Sequence, residues 1–274
     1  MTKPNRTISF FAAPALLALL GCGADRTTGP GPTRSMRPST SAVSADVNPG
    51  ASQFYEQHNL VSDGAVPADL VDPALVNAWG LVASATSPWW VADNGTDLST
   101  LYNGNTGAKV PLTVSVPSAP TGTVFNGGAG FVVASGTAHG PARFIFATED
   151  GTILGWNPGV AATSAVIAVD HSASGAVYKG LAIASTTAGD RLYASNFHAA
   201  TVDVFDASFN PVAGGFTDPA LPAGYAPFGI RSLGGVIYVT YALQDADQHD
   251  DVAGQGHGFV DAFEVAGKIG RAHV

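Results

Sequence analysis

The densest polar run in this chain is Asp245, Asp247, His249, Asp250 and Asp251, with His257 close behind. Carboxylates spaced in this way, with backbone carbonyls between them, can hold a hard cation such as Ca2+, and the imidazoles would extend the choice to a transition metal. The Gly and closing Glu of a helix–loop–helix calcium loop are missing, so a solvated acidic loop is the competing reading. A second set comprises Asp93, Glu149, Asn196 and Tyr241, each at the end of a similar short apolar segment. Such residues could form a polar ring on one face, although Asp93-Asn94-Gly95 and Glu149-Asp150-Gly151 are equally good hairpin turns. Asp170-His171-Ser172 places three catalytic residue types side by side, but adjacency along the chain is not the geometry of a triad. Trp79, Trp89, Trp90 and Trp156 could line a carbohydrate platform or pack between sheets. No Gly-x-Ser-x-Gly elbow, His-Glu-x-x-His or phosphate-binding Gly-rich loop is present, and Cys22 is the single cysteine.

The elements that must carry these residues repeat. Units about fifty residues apart start near Gly80, Gly130, Gly180 and Gly229. Each opens with Gly followed by apolar and small residues, continues through an aromatic-rich segment such as Trp89-Trp90-Val91-Ala92-Asp93 or Arg191-Leu192-Tyr193-Ala194-Ser195-Asn196, and reaches a third segment such as Thr201-Val202-Asp203-Val204-Phe205. The last alternates with period two, and none carries a helical apolar stripe. Four short strands per unit, separated by Gly, Pro, Asn and Asp turns, predict an all-β fold, a β-propeller of four-stranded blades with about four blades present. In the fourth unit the outer strand is expected to be missing.

The chain ends differ from the repeats. Lys3 and Arg6 precede an apolar run too short to cross a bilayer, which predicts an export signal over residues 1–21. Leu19-Leu20-Gly21-Cys22 resembles the lipobox of bacterial lipoproteins, which implies Cys22 as the lipid attachment point and, with Gly23 beside it, sorting to an outer membrane. Residues 22–50 are rich in Ser, Thr, Pro and Gly and read as a flexible tether. Residues 51–267 form the expected propeller. Residues 268–274 break the pattern and read as a non-native tail, which makes the chain a truncated fragment.

Val91-Ala92-Asp93-Asn94 and Val202-Asp203-Val204-Phe205-Asp206 resemble the NHL type of propeller repeat. Asn77-Ala78-Trp79-Gly80-Leu81, Trp90-Val91-Ala92-Asp93-Asn94-Gly95 and residues 244–254 resemble a bacterial family of exported propeller-like proteins without an assigned activity. That resemblance implies six blades, with further blades after the point where this chain stops and residues 59–61 as a strand awaiting the last of them. Lactonase and gluconolactonase-like propellers place an axial Ca2+ on residues that open the innermost strands. The corresponding positions here are Asn77, Asn126, Lys179 and Pro227, of which the two Asn fit and the others do not.

Twelve basic residues face twenty-one acidic ones, a net charge of −9. Without Lys3, Arg6, Lys268 and Arg271 the balance is −13, which repels phosphate backbones and excludes nucleic acid as a partner. The function expected is an exported, lipid-anchored propeller, held to the bilayer through Cys22, that binds a protein or glycan without catalysis. The alternative is a Ca2+-dependent lactonase-like hydrolase, with Ca2+ the one cofactor to be considered.

Overall fold

The protein, represented by a computed structural model, is described over residues 56–273. Cys22, the export segment and the tether lie outside these residues. The described part is all-β. A short parallel pair, β1 (Val61–Ser62) and β2 (Leu70–Val71), precedes the first sheet of β3 (Ala78–Val82), β4 (Trp89–Asp93), β5 (Leu98–Tyr102) and β6 (Lys109–Ser115). The second sheet opens with β7 (Pro120–Phe125), detours through a hairpin of β8 (Val132–Ser135) and β9 (Ala138–Pro141), and resumes with β10 (Phe144–Thr148), β11 (Thr152–Trp156) and β12 (Val166–Asp170). The third contains β13 (Tyr178–Thr186), β14 (Gly189–Asn196) and β15 (Thr201–Asp206). The fourth contains β16 (Tyr225–Leu233), β17 (Val236–Leu243), β18 (Gly258–Glu264) and β19 (Ile269–His273).

Each sheet is an antiparallel meander, and its side chains follow from its place in the array. Strands β10 and β11 are buried along their whole length, which suits the apolar runs Phe144-Ile145-Phe146 and Ile153-Leu154. Full burial of such side chains contributes roughly 1.5–3 kcal/mol each. In β17 only alternate residues are buried, with Ile237, Val239 and Tyr241 facing the third sheet's core cluster and Tyr238 and Thr240 exposed. Between the first and second sheets Trp90 stacks on Phe144 with ring centroids 4.0 Å apart and touches Trp156 at 4.7 Å. These two tryptophans therefore pack between sheets, while Trp89 is 40% exposed.

The innermost strands β3, β7, β13 and β16 lie against one another in that order, which gives a propeller-like succession of sheets. Glycine makes the junctions. A β-carbon on Gly122 would collide with the Leu181 backbone, one on Gly80 with the backbone of Thr121 and Thr123, and one on Gly180 would sit 2.8 Å from the Phe228 carbonyl oxygen. A β-carbon on Gly229 would meet Thr240 Oγ1 of its own sheet at 2.9 Å and no backbone of another sheet.

Three expectations change here, the first being that the third sheet has three strands where four were expected. The second inner strand is β7, with Gly122 at the junction. Gly130 instead leads into the β8–β9 hairpin, where it packs on Ala207 while Phe131 is buried against Phe209. The fourth sheet also has an outer strand, because β19 pairs antiparallel with β18.

Candidate functional site

The turns between the second and third strands of the four sheets meet at one end of the array, and one buried side chain bridges two of them. Lys179 enters from the start of β13 with its side chain 1% exposed. Its ammonium pairs with Glu149 Oε1 of the second sheet and donates to Asp250 Oδ1 of the fourth at 3.0 Å. The nitrogen lies 5.5 Å from the centre of the Trp79 ring and 6.0 Å from that of Phe197. A buried cation needs such compensation, because desolvating an ammonium costs several kcal/mol.

The network continues outward. Glu149 Oε2 accepts from Asn94 Nδ2 at 3.0 Å, and Asn94 Oδ1 accepts from Asn77 Nδ2 at 2.9 Å. In the fourth sheet His249 Nδ1 is 3.2 Å from Asp250 Oδ1, and the His249 backbone N–H donates to Asp245 Oδ1. Gln244 Nε2 donates to the Phe197 carbonyl oxygen at 2.6 Å, fastening the 244–257 loop to the third sheet. The Lys179 ammonium beside Asp250 holds its carboxyl below the usual range. An open depression of about 400 Å³ adjoins this centre, lined in part by Glu149, Asp150, His198, Asp247 and His249.

The polar residues singled out in the sequence are thus redistributed. Of the 245–257 run, His249 and Asp250 converge with Glu149, and ligand atoms of the three lie within 4.8 Å of one another. His257 turns instead to the Val252 carbonyl, and Asp247 and Asp251 are exposed. Asp93, Asn196 and Tyr241 occupy matching positions, but each is buried inside its own sheet beside a residue of the third strand. Asp93 Oδ2 accepts from the Thr100 backbone N–H and hydroxyl, Asn196 Nδ2 donates to Asp203, and Tyr241 sits beside Asp261. Thr148, paired with Thr152, is the second sheet's member of that series, and Glu149 lies one residue beyond it. Burial pushes the Asp93 carboxyl up to about 7 despite the Thr100 hydrogen bonds.

The axial positions divide likewise. Asn77, Lys179 and Pro227 lie at the Glu149 end of their strands. Asn126 follows the opposite end of β7 and donates to the carbonyls of Gly130 and Ala142. Asn77 gives only its Nδ2 to Asn94, but Lys179 contributes a cation and Pro227 no side-chain donor, so this set does not fit an axial Ca2+. Nor do Asp170, His171 and Ser172 form a triad. Ser172 Oγ donates to Asp170 Oδ1 at 2.5 Å, while His171 Nδ1 meets the Tyr178 hydroxyl at 2.8 Å.

Lys179 as the hub was not evident from the sequence, where it registered only as a misfit to an axial ligand set. The available signal was a lone lysine within the apolar run Ala176-Val177-Tyr178-Lys179-Gly180-Leu181.

No family model matches the chain. Two uncharacterized proteins of Acanthamoeba polyphaga mimivirus are similar to it. One is 29% identical over 266 residues, covering 88% of this chain and 64% of that protein, and the other is 32% identical over 234 residues, covering 79% and 60%. The chain thus spans less than two thirds of the length of either relative. Both are viral and lend no support to the expected bacterial origin. Among solved structures, hydrazine synthase of Kuenenia stuttgartiensis is similar over 77% of this chain and 51% of that one, at 14% identity and a TM-score of 0.48. A streptogramin B lyase is similar over 72% and 54%, at 12% identity and a TM-score of 0.46.

Proposed function

We propose that this chain belongs to an exported β-propeller, anchored to a bacterial outer membrane through acylated Cys22, that binds a protein or glycan partner at the end where the four inter-strand turns meet. The observation that carries this reading is the convergence itself. Asn94, Glu149, Lys179, Gln244 and Asp250 stitch the turns of all four sheets into one continuous surface, with Asp150, Asp247, His198 and His249 beside the shared depression. Loops held in place by a regular scaffold disproportionately carry binding residues. The reactive types nearby are turned to structural partners, as with Ser172 on Asp170 and His171 on Tyr178.

In this reading the ring is larger than the four sheets described, with six blades in all. The face of the fourth sheet that carries the exposed Tyr238 and Val260 would receive the next sheet just as the Phe228–Ile230 backbone receives Gly180. The test has two arms on the full natural protein. Binding to glycan arrays and to isolated cell envelopes is measured with and without Asp150→Lys and Asp247→Lys. Hydrolysis of simple lactones and esters is followed with Ca2+ and with chelator. Binding lost in the two variants, with no turnover, supports the proposal. Chelator-sensitive lactone cleavage would replace it with the Ca2+-dependent hydrolase.

A further inference from the structure

We propose that Lys179 is the resident cation of this centre: its ammonium takes the place that a divalent ion would occupy among Glu149, Asp250 and His249, so that the intact protein excludes the metal its own side chains could otherwise hold. Three observations carry this. Glu149, His249 and Asp250 present ligand atoms within 4.8 Å of one another, a spacing compatible with shared coordination of one ion. The Lys179 nitrogen reaches both carboxylates of that trio and is itself almost wholly buried, so ammonium and metal compete for the same oxygens. The remaining surroundings suit a fixed organic cation, since the Trp79 and Phe197 rings flank the nitrogen and the Trp79 face attracts positive charge.

The partners also come from different sheets. Glu149 directly follows β10, Lys179 is the second residue of β13, and Asp250 lies in the loop between β17 and β18. An ammonium in this position therefore links the sheets as an axial metal would, without depending on metal supply. A metal introduced in its stead has donors ready from two sheets, with Asn94 already holding the second Glu149 oxygen in place.

The experiment uses Tb3+ as the probe, because the Trp79 ring lies close enough to the site to sensitise its emission. Wild-type protein, Lys179→Met, Lys179→Gln and each of these combined with Glu149→Gln are titrated with Tb3+, and their Tm is read with and without millimolar Ca2+. The expected result is a saturable, Trp-sensitised emission in Lys179→Met or Lys179→Gln that Glu149→Gln abolishes, together with a lowered Tm that Ca2+ restores. Wild-type emission should be insensitive to Glu149→Gln, and wild-type Tm insensitive to Ca2+. Wild-type emission that Glu149→Gln removes would overturn the proposal, because the metal would then displace the ammonium. So would the absence of Glu149-dependent emission in both lysine variants, or the failure of both to fold whether or not Ca2+ is present.

Discussion

Asp93 provides a quantitative test of how the sheets bury charge. It is fully buried at the end of β4, and its Oδ1 has no hydrogen-bond partner among the described residues, while Oδ2 accepts both bonds from Thr100. Burial raises its pKa from 3.8 to about 7. At about 1.4 kcal/mol per pKa unit, that gap corresponds to about 4 kcal/mol. Because the native carboxyl keeps its proton to a higher pH than the unfolded one, this stability is fully present below pH 3.8, declines as the pH rises and is gone above about pH 7. Asp93→Asn removes the titration. The amide brings donors that lack acceptors at Oδ1, costing roughly 1–3 kcal/mol at every pH, so the informative quantity is the difference between two conditions. The variant should gain about 3 kcal/mol relative to wild type between about pH 5 and about pH 8, as measured by urea denaturation at each pH. A difference that is the same at both pH values, or that grows toward the acid side, would refute the account of Asp93 as a carboxyl carried at a cost.

Three further outcomes follow from other contacts. Gly122→Ala should cost about 3 kcal/mol or more in urea denaturation, or prevent folding, whereas Gly229→Ala should cost under about 1 kcal/mol, because only the first places a methyl group against the backbone of another sheet. Tyr102→Phe should cost about 2 kcal/mol, since its hydroxyl donates to the buried Asp72 carboxylate at 2.6 Å. Burial pushes the Asp72 carboxyl up, but hydrogen bonds from Lys109 and Tyr102 outweigh it and hold the pKa below the ordinary value, so its stabilisation is present at neutral pH and lost on acidification. Lys109→Met should therefore move acid unfolding, followed by circular dichroism, to higher pH.

The all-β class and the positions of β3, β13 and β16 could be read from the repeat because Gly80, Gly180 and Gly229 sit among apolar and small residues that alternate in strand fashion. The second inner strand was hidden by an exchange of appearances. Gly130-Phe131-Val132-Val133-Ala134-Ser135 carries the expected pattern but belongs to an inserted hairpin, whereas Pro120-Thr121-Gly122-Thr123 looks like a polar turn. Thr121 is nevertheless fully buried, because its hydroxyl donates to the Tyr178 carbonyl oxygen of the neighbouring inner strand at 2.7 Å. Local pattern does not register a hydrogen bond that spans two sheets. The same limit applied at the centre. Glu149, His249 and Asp250 were each visible as polar residues, but their meeting point was set by Lys179, whose partners lie 30 and 71 positions away.

The glycine contacts between inner strands bear on how such a chain can change over time. At these junctions the touching atoms are main-chain atoms on one side and an absent side chain on the other, so the angular step from sheet to sheet is set by features that substitution elsewhere leaves intact. Residues on the sheet faces and in the turns can be exchanged widely while the spacing is inherited, provided that Gly80, Gly122 and Gly180 persist. The scaffold is thereby insulated from the surface it displays, and new specificities can be explored at the turn end without renegotiating the geometry that presents them.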